Sequence, residues 1–289
     1  MTNTPKPGWL AIKKQFGLLP FFVFAFLFLI LPTADLVVGA FQNTEGSFTF
    51  GNLRALLEDN ILSAYWISIK ISAVSALGGG VLGALLAWAT VMGRLPTWLR
   101  PTLMTFSGVA SNFAGVPLAF AFLATLGRMG LVTILLKAWF GFNLYDTGFN
   151  VLSFMGLALT YLYFQIPLMV LIITPALDGM KQEWREACEC LGGSSYAYWR
   201  FVALPVLWPS VLGALLLLFA NAFGAVATAY ALTGSSLNII PILLYAQIRG
   251  DVLHNPHLGY AMALGMILVT GLANGGYLLL RSRSERRGV

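Results

Sequence analysis

The sequence predicts an all-α membrane protein, built as a polytopic bundle of about six transmembrane helices. Of its 289 residues, 58% are hydrophobic and only 10% are charged, which is too little charge for the surface of a soluble protein of this length. The apolar residues are grouped in blocks of about 20, the length at which an α-helix crosses a bilayer. No polar stretch between the blocks is long enough to form an appended soluble domain.

The first span begins near Leu18, after a polar and basic segment, and continues past Pro32 towards Val38. It is longer than the apolar core of a secretory signal peptide and has no convincing cleavage site, so it is predicted to remain in the protein, with a candidate kink at Pro32. Five further spans are predicted, over residues 67–92, 103–126, 150–176, 205–232 and 258–280. The amphipathic, aromatic stretch 128–147 and the loop 233–257 are predicted to lie on the outer side.

The second span carries a row of small residues, Gly78, Gly79, Gly80 and Gly83. Glycines at this spacing give a helix a smooth face against which a second helix can pack closely. We therefore expect tight helix packing here rather than a phosphate-binding loop. No G-x-x-x-x-G-K-[ST] motif occurs in the sequence, so the chain is not expected to bind ATP through a Walker motif.

The most polar interior passage is residues 181–205, here called loop 181–205. Its residue types predict two short helices with a break between them. Asp178 is a candidate cap for the first helix, which Gly192 and Gly193 end because glycine readily adopts the left-handed conformation. Ser194 or Ser195 can cap the second helix, which is predicted to run to Pro205 at the start of the next span.

Seven residues of this loop recur at distinctive separations. They are Glu186, Ala187, Cys188, Gly192, Val202, Leu204 and Pro205. Their pattern resembles the EAA loop of ABC importer permeases, which is written E-A-A, three residues, G, nine residues, I, one residue, L-P. Every spacing fits, with Cys188 in place of the second alanine and Val202 in place of isoleucine.

The resemblance implies a type I ABC importer permease fold in which this loop is the coupling helix that docks on a cytoplasmic ATPase. Residues 61–280 would form the permease domain, preceded by residues 1–60 with the first span and followed by a basic cytoplasmic tail at 281–289. The implied partners are two ATPase subunits carrying ATP and Mg, a second permease copy or paralogue and an extracytoplasmic binding protein. No cofactor is expected in this chain.

The substrate is less clearly indicated than the class of transporter. The chain is similar to permeases of the polyamine group, which carry spermidine and putrescine, and relatives of that group carry phosphonate, ferric iron, thiamine, sulfate or molybdate. Two other classes remain open: a secondary carrier or channel that works without ATP, and a structural membrane scaffold. A proton-driven carrier usually needs a buried Asp, Glu or His in a span, and the sequence offers none near a span centre.

Charge distribution predicts the orientation. Most of the 17 Lys and Arg residues fall in the N-terminal segment, the turn between Arg94 and Arg100, loop 181–205 and the tail. The positive-inside rule then places both termini on the cytoplasmic side, and the resemblance to importer permeases implies a bacterial plasma membrane. Although the net charge is +6, the basic residues flank spans and suit lipid headgroups rather than nucleic acid.

Few side chains within the spans could contact a solute. The candidates for a translocation path are Ser111, Asn112, Gln165, Asn221, Thr228 and Tyr230. The alternative for each is an interhelical hydrogen bond, which is common in membrane bundles. Cys188 and Cys190 are expected to be free thiols, and the outer pair His254 and His257 is too small a set for a metal site. No nucleophile with an adjacent base is recognisable, so catalysis is not expected.

Overall fold

The computed structural model confirms the predicted fold class. It describes residues 18–43, 45–93, 96–234, 236–249 and 255–286; segment 1–17, Arg94, His254 and the end of the tail lie outside this range. Six described stretches are long and apolar enough to cross a membrane. They are Leu19–Ala40, Asp59–Met92, Val116–Phe140, Phe154–Asp178, Ser195–Phe223 and Pro256–Leu280.

We number the helices in chain order. They are α1 (Leu19–Ala40), α2 (Gly51–Ala55), α3 (Asp59–Met92), α4 (Leu99–Asn112), α5 (Val116–Leu126), α6 (Leu131–Phe140), α7 (Phe154–Asp178), α8 (Gln182–Cys190), α9 (Ser195–Phe223), α10 (Val226–Thr233), α11 (Ile240–Arg249) and α12 (Pro256–Arg286). A short 3-10 helix, Leu144–Thr147, follows α6. The described part of the chain contains no strand and only one isolated β-bridge, between Gln42 and Phe48.

The centre of the bundle is α7, which packs against α3, α4 and α9. The glycine face of α3 makes the closest of these contacts possible, as predicted. A methyl group added at Gly79 would lie 2.4 Å from Gln165 Cβ, and one at Gly83 would lie 2.6 Å from Met169 Cβ. Because these distances are below any normal carbon contact, only glycine lets the two helices approach this far.

Two of the described helices contain a π-turn that ends two residues before a proline. In α1 the π-turn Phe26–Ile30 precedes Pro32, and in α9 the π-turn Trp199–Ala203 precedes Pro205. Proline has no backbone N–H and its ring crowds the preceding turn, which a wider turn relieves. The prediction that a short helix ends at Pro205 is therefore wrong, since α9 runs without interruption from Ser195 to Phe223.

The third and fifth predicted spans are each broken, which the sequence prediction missed. The first break, residues 113–115, separates α4 from α5, and Gly115 within it has φ +75° and ψ −150°. The second break, residues 224–225, separates α9 from α10. The apolar stretch that could cross the membrane as the third span is consequently Val116–Phe140, instead of residues 103–126.

Other boundaries also differ from the prediction. Helix α3 begins eight residues earlier than expected, and the predicted outer loop 233–257 contains α11. The aromatic stretch 128–147 forms α6 and the 3-10 helix. Helix α1 packs on α12, where His257 Nδ1 lies 3.1 Å from the Gly39 carbonyl oxygen, yet none of the most apolar window of α1 is buried.

Candidate functional site

Helix α8 presents the first part of loop 181–205 as an exposed face. Glu186 and Ala187 are exposed, and Cys188 is half-buried. Local contacts stiffen the helix, because Gln182 Nε2 donates to Glu186 Oε1 at 2.9 Å and Arg185 pairs with Glu189 at 3.0 Å. Such pairs one turn apart support a helix without burying it.

The predicted cap of this helix is wrong. Asp178 is the last residue of α7, and its carboxylate forms an ion pair with Arg100 at the start of α4. Lys181 occupies the N-cap position of α8 and makes no side-chain capping bond. The pair therefore joins the ends of α4 and α7 next to loop 181–205, a link between distant segments that local cap rules do not include.

The turn after α8 depends on two glycines in different ways. Gly192 has φ +78°, a left-handed conformation that side chains disfavour, although a Cβ there would meet no atom within 4 Å. The constraint at Gly192 therefore lies in its backbone conformation and not in the space around it. At Gly193, by contrast, a Cβ would lie 2.5 Å from Cys188 Sγ. Ser194 Oγ then accepts from Ala197 N at 3.2 Å and caps α9, as predicted.

The loop's apolar residues come together around a small pocket between α8 and the start of α9. Ala187 and Cys188 line it from α8, Val202 lines it from the π-turn, and its volume is about 450 Å³. Leu191 (89% exposed) lies at its rim, while Leu204 and Pro205 are exposed further along α9. The spacing of the loop pattern thus brings small and aliphatic residues into one contact surface, which suits a protein partner better than water.

Each helix break is held by a hydrogen bond to a side chain from another helix. The Gly115 backbone N–H donates to Thr228 Oγ1 at 2.7 Å, across 113 residues of sequence. The Tyr161 hydroxyl of α7 donates to the Ala225 carbonyl oxygen at 3.0 Å. The Gly115 N–H, which precedes the first turn of α5, is thereby paired inside the bundle, as an apolar surrounding requires. The Ala225 carbonyl oxygen also accepts from Ala229 N at 3.3 Å, so the Tyr161 hydroxyl is its second partner.

The predicted path residues fall into two groups. Thr228 is 1% exposed and Gln165 is completely buried, with Gln165 Nε2 donating to the Leu218 carbonyl oxygen at 3.2 Å. In this structure both therefore make interhelical bonds, the alternative that the sequence left open. Gln165 Oε1 has no partner among the described residues.

The remaining candidates lie beside the breaks and reach the surface of the bundle. Ser111 and Asn112 end α4, where both donate to the Gly108 carbonyl oxygen, and Ser111 is half-buried while Asn112 is exposed. Asn221 is exposed just before the second break. Tyr230 is partly exposed on α10, with its ring 4.8 Å from that of Tyr245.

Sequence reasoning missed Gly115 and Tyr161. The run Gly115-Val116-Pro117 does carry a signal, since a flexible glycine followed by an early proline is typical of a helix start. The apolar residues on both sides hid this signal within one long hydrophobic block. Tyr161 gave none, because its partner is a backbone carbonyl 64 residues away.

Comparisons with known proteins agree with this geometry. No protein-family model matches the chain. It is 28% identical over 204 residues to the probable sulfate transport system permease protein cysT of Zygnema circumcarinatum, a match to 69% of this chain and 65% of the relative, just under two thirds of it. It is 21% identical to the spermidine/putrescine transport system permease protein PotC of Shigella flexneri, covering 91% of this chain and 93% of that one.

A solved structure gives the fold. A chain of a bacterial ABC transporter that imports the acidic polysaccharide alginate superimposes with a TM-score of 0.69 at 17% identity, covering 96% of this chain and 98% of that one. At such identity the likeness concerns architecture alone. With its six candidate spans and its helical loop between α7 and α9, the chain has the polytopic all-α fold of ABC importer permeases.

Proposed function

We propose that this chain is the permease subunit of a binding-protein-dependent ABC importer. The observation that carries the proposal is loop 181–205, whose seven matching residues lie on α8, in the turn after it and in the first turns of α9, where Ala187, Cys188 and Val202 line one pocket. The alignment with sulfate and spermidine/putrescine permeases and the shared fold support the same class. The partners in this proposal are two ATPase subunits holding ATP and Mg, a second permease subunit and an extracytoplasmic binding protein.

The geometry suits mechanical coupling. An ATPase surface would contact Glu186 and Ala187 on α8 and Leu191 directly after it, and the Glu186 carboxylate can pair with a basic group. Because Gly192 and Gly193 make a tight turn and α9 continues from Ser195 to Phe223, displacement of α8 would pass along one helix to the second break. The hydrogen bond from the Gly115 N–H, just before α5, to Thr228 of α10 would then move α5 and α10 together. The chain itself supplies no ATP-binding motif in this scheme.

The translocation path is proposed to run beside the two breaks. Ser111, Asn112 and Asn221 offer uncharged hydrogen-bonding groups there, whereas Gln165 and Thr228 hold the bundle together behind them. This side would face the second permease subunit, so the path would be completed between two chains.

Sulfate is the first substrate candidate, ahead of the polyamine expected from sequence. The relatives named for sulfate transport are more similar in sequence than the polyamine permease. Spermidine and putrescine remain the second candidate, because the PotC match covers more of the chain.

Reconstitution tests both the class and the substrate. Proteoliposomes would contain this chain alone, or with the ATPase and binding protein with which it co-purifies, and would be supplied with radiolabelled sulfate or spermidine. We expect sulfate to accumulate only when the ATPase and the binding protein are both present. We also expect it to require ATP on the side of the membrane where the ATPase lies. Flux through the chain alone would instead identify a secondary carrier or channel. Absence of flux with every component present, for sulfate, spermidine and each of the other solutes named above, would identify a scaffold.

The membrane orientation belongs to the same proposal. Both termini and loop 181–205 are placed on the cytoplasmic side of a bacterial plasma membrane. A cysteine-labelling experiment uses the native Cys190, which is exposed on α8. Labelling by an impermeant maleimide in inverted vesicles, but not in intact cells, is the expected result, and the opposite pattern would refute the orientation.

A further inference from the structure

An apolar groove runs along the outside of the bundle between α3 and α9. Val81 and Leu85 of α3 form one wall, Trp208 and Val211 of α9 form the other, and Ile173 of α7 lies at the floor. Its volume is about 310 Å³. The groove is open along its length, since Val81, Leu85 and Trp208 are all more than half exposed.

The dimensions of this groove match one lipid chain. Between Gly80 and Trp88, α3 rises about 12 Å, and between Leu204 and Leu215, α9 rises about 16 Å. Half of the hydrocarbon thickness of a bilayer is about 15 Å. The groove therefore has the length of an extended acyl chain in a single leaflet, the one next to loop 181–205.

The groove continues into a polar cavity at the end nearest loop 181–205. Trp88, Leu177 and Trp199 line both spaces. The rings of Trp88 and Trp199 meet edge to face with their centroids 6.1 Å apart. Tryptophan prefers the level of lipid headgroups, where its apolar ring and polar N–H are both accommodated. The change from apolar to polar lining thus occurs where a glycerol backbone would lie.

The polar cavity, of about 720 Å³, carries balanced charge. Its cationic residues Arg100, Lys181 and Arg185 are matched by three carboxylates. Two of the cations form ion pairs, with Asp178 and Glu189. Lys181 makes no ion pair within the part of the chain that the structure describes. In that same part, Glu186 accepts a hydrogen bond from the Gln182 amide and makes no ion pair. A ligand carrying both signs of charge complements this lining better than an anion does.

We propose that the groove and cavity together bind one phospholipid with a zwitterionic headgroup that ends in a primary ammonium, as in phosphatidylethanolamine. One acyl chain fills the groove, the phosphate accepts hydrogen bonds from Lys181, and the ammonium donates to Glu186. The lipid then connects the loop to the flank of the bundle. This inference uses only the fold and the two cavities, and it holds whichever solute is transported.

Lipid binding to the purified, delipidated chain tests the proposal. Native mass spectrometry would compare phosphatidylethanolamine with phosphatidylcholine, which lacks N–H donors, and with phosphatidylglycerol, which is anionic. We expect one phosphatidylethanolamine per chain, bound about tenfold more tightly than either competitor because one charge-assisted hydrogen bond separates them. Equal or tighter binding of phosphatidylglycerol or phosphatidylcholine would overturn the headgroup assignment.

Matched variants locate the site. Val81→Trp fills the rim of the groove, and Val74→Trp makes the same change at an exposed position of α3 outside it. We expect Val81→Trp and Lys181→Ala each to weaken phosphatidylethanolamine binding about tenfold, with Val74→Trp unchanged. Unaltered binding in Val81→Trp would exclude the groove. A bifunctional maleimide cross-link from Val81→Cys to another copy of the chain in native membranes would assign the groove to a protein contact and refute the proposal.

Discussion

Loop 181–205 and the paired helix breaks are built in opposite ways. In the loop, residues are held by neighbours in sequence, through the pairs one turn apart on α8 and the Ser194 cap. At the breaks, the backbone is held by side chains from far along the sequence, Thr228 for the first and Tyr161 for the second. Most side chains of α8 are exposed, whereas Thr228 is buried.

This difference separates two kinds of constraint. A surface that a partner must recognise needs particular residues at particular spacings, and it can be altered without unfolding the bundle. A hydrogen-bonded break inside the membrane contributes to stability, because no water is present there to accept a hydrogen bond from an unpaired backbone N–H. We therefore expect substitutions at the breaks to lower stability first, and substitutions in the loop to impair partner binding first.

The largest loss of stability is expected for Gly115→Ala. Its φ of +75° and ψ of −150° lie in a region that only glycine occupies readily, so the variant should lose about 2–3 kcal/mol. Thermal unfolding of the purified protein in detergent, followed by tryptophan fluorescence, measures the change. Gly108→Ala is the matched control, because Gly108 lies inside α4 with no atom within 4 Å of an added Cβ. Equal stability of the two variants would contradict the assigned strain.

Thr228→Val should have the next largest effect. It keeps the shape of the side chain but leaves the Gly115 N–H without an acceptor, at a cost of about 1–2 kcal/mol. The same unfolding measurement applies. Thr228→Ser retains the hydroxyl and is expected to lie close to the parent protein. If serine and valine were equally destabilising, the methyl packing of Thr228 rather than its hydrogen bond would be responsible.

Gly192→Ala sharpens the contrast between the regions. An alanine in this left-handed conformation is strained by about 1 kcal/mol. The turn is exposed, however, and can change its conformation without moving the helices of the bundle. We expect little change in thermal unfolding together with a clear loss of the co-purifying ATPase in a pull-down. A drop in unfolding temperature as large as that of Gly115→Ala would remove the distinction drawn between loop and breaks.

The smallest effect on stability is expected for Glu186→Lys. The side chain is exposed and makes one hydrogen bond within α8, so the loss should stay below about 0.5 kcal/mol. ATPase association should nevertheless be abolished, as measured by the same pull-down. Glu183→Lys on the exposed first turn of α8 is the control for charge reversal alone. Normal ATPase recovery with Glu186→Lys would show that this carboxylate is not part of the contact.

The features that the sequence predicts correctly are those held by residues close together in sequence, as in loop 181–205. Six apolar blocks, the glycine face of α3 and the Ser194 cap were predictable, because each depends on composition or on residues a few positions apart. The breaks were not, since Gly115 and Thr228 lie 113 residues apart and both sit in apolar surroundings. Asp178 was assigned as a cap for the same reason: its partner Arg100 belongs to a different helix. Nor could a polar residue such as Gln165 be assigned to the interior before its neighbours were known.

The π-turn Trp199–Ala203 has a consequence for how α9 could be altered. Such a turn holds one residue more than an α-helical turn, so it changes the rotational phase of the helix by about 100°. The residues before the turn, Ser194 and Tyr198 among them, therefore face a different direction, relative to the membrane-embedded part of α9 after Pro205, from the one they would face in a uniform α-helix. Deleting a single residue from the turn would restore a uniform helix and rotate α8 around the axis of α9, away from Arg100 and the end of α7.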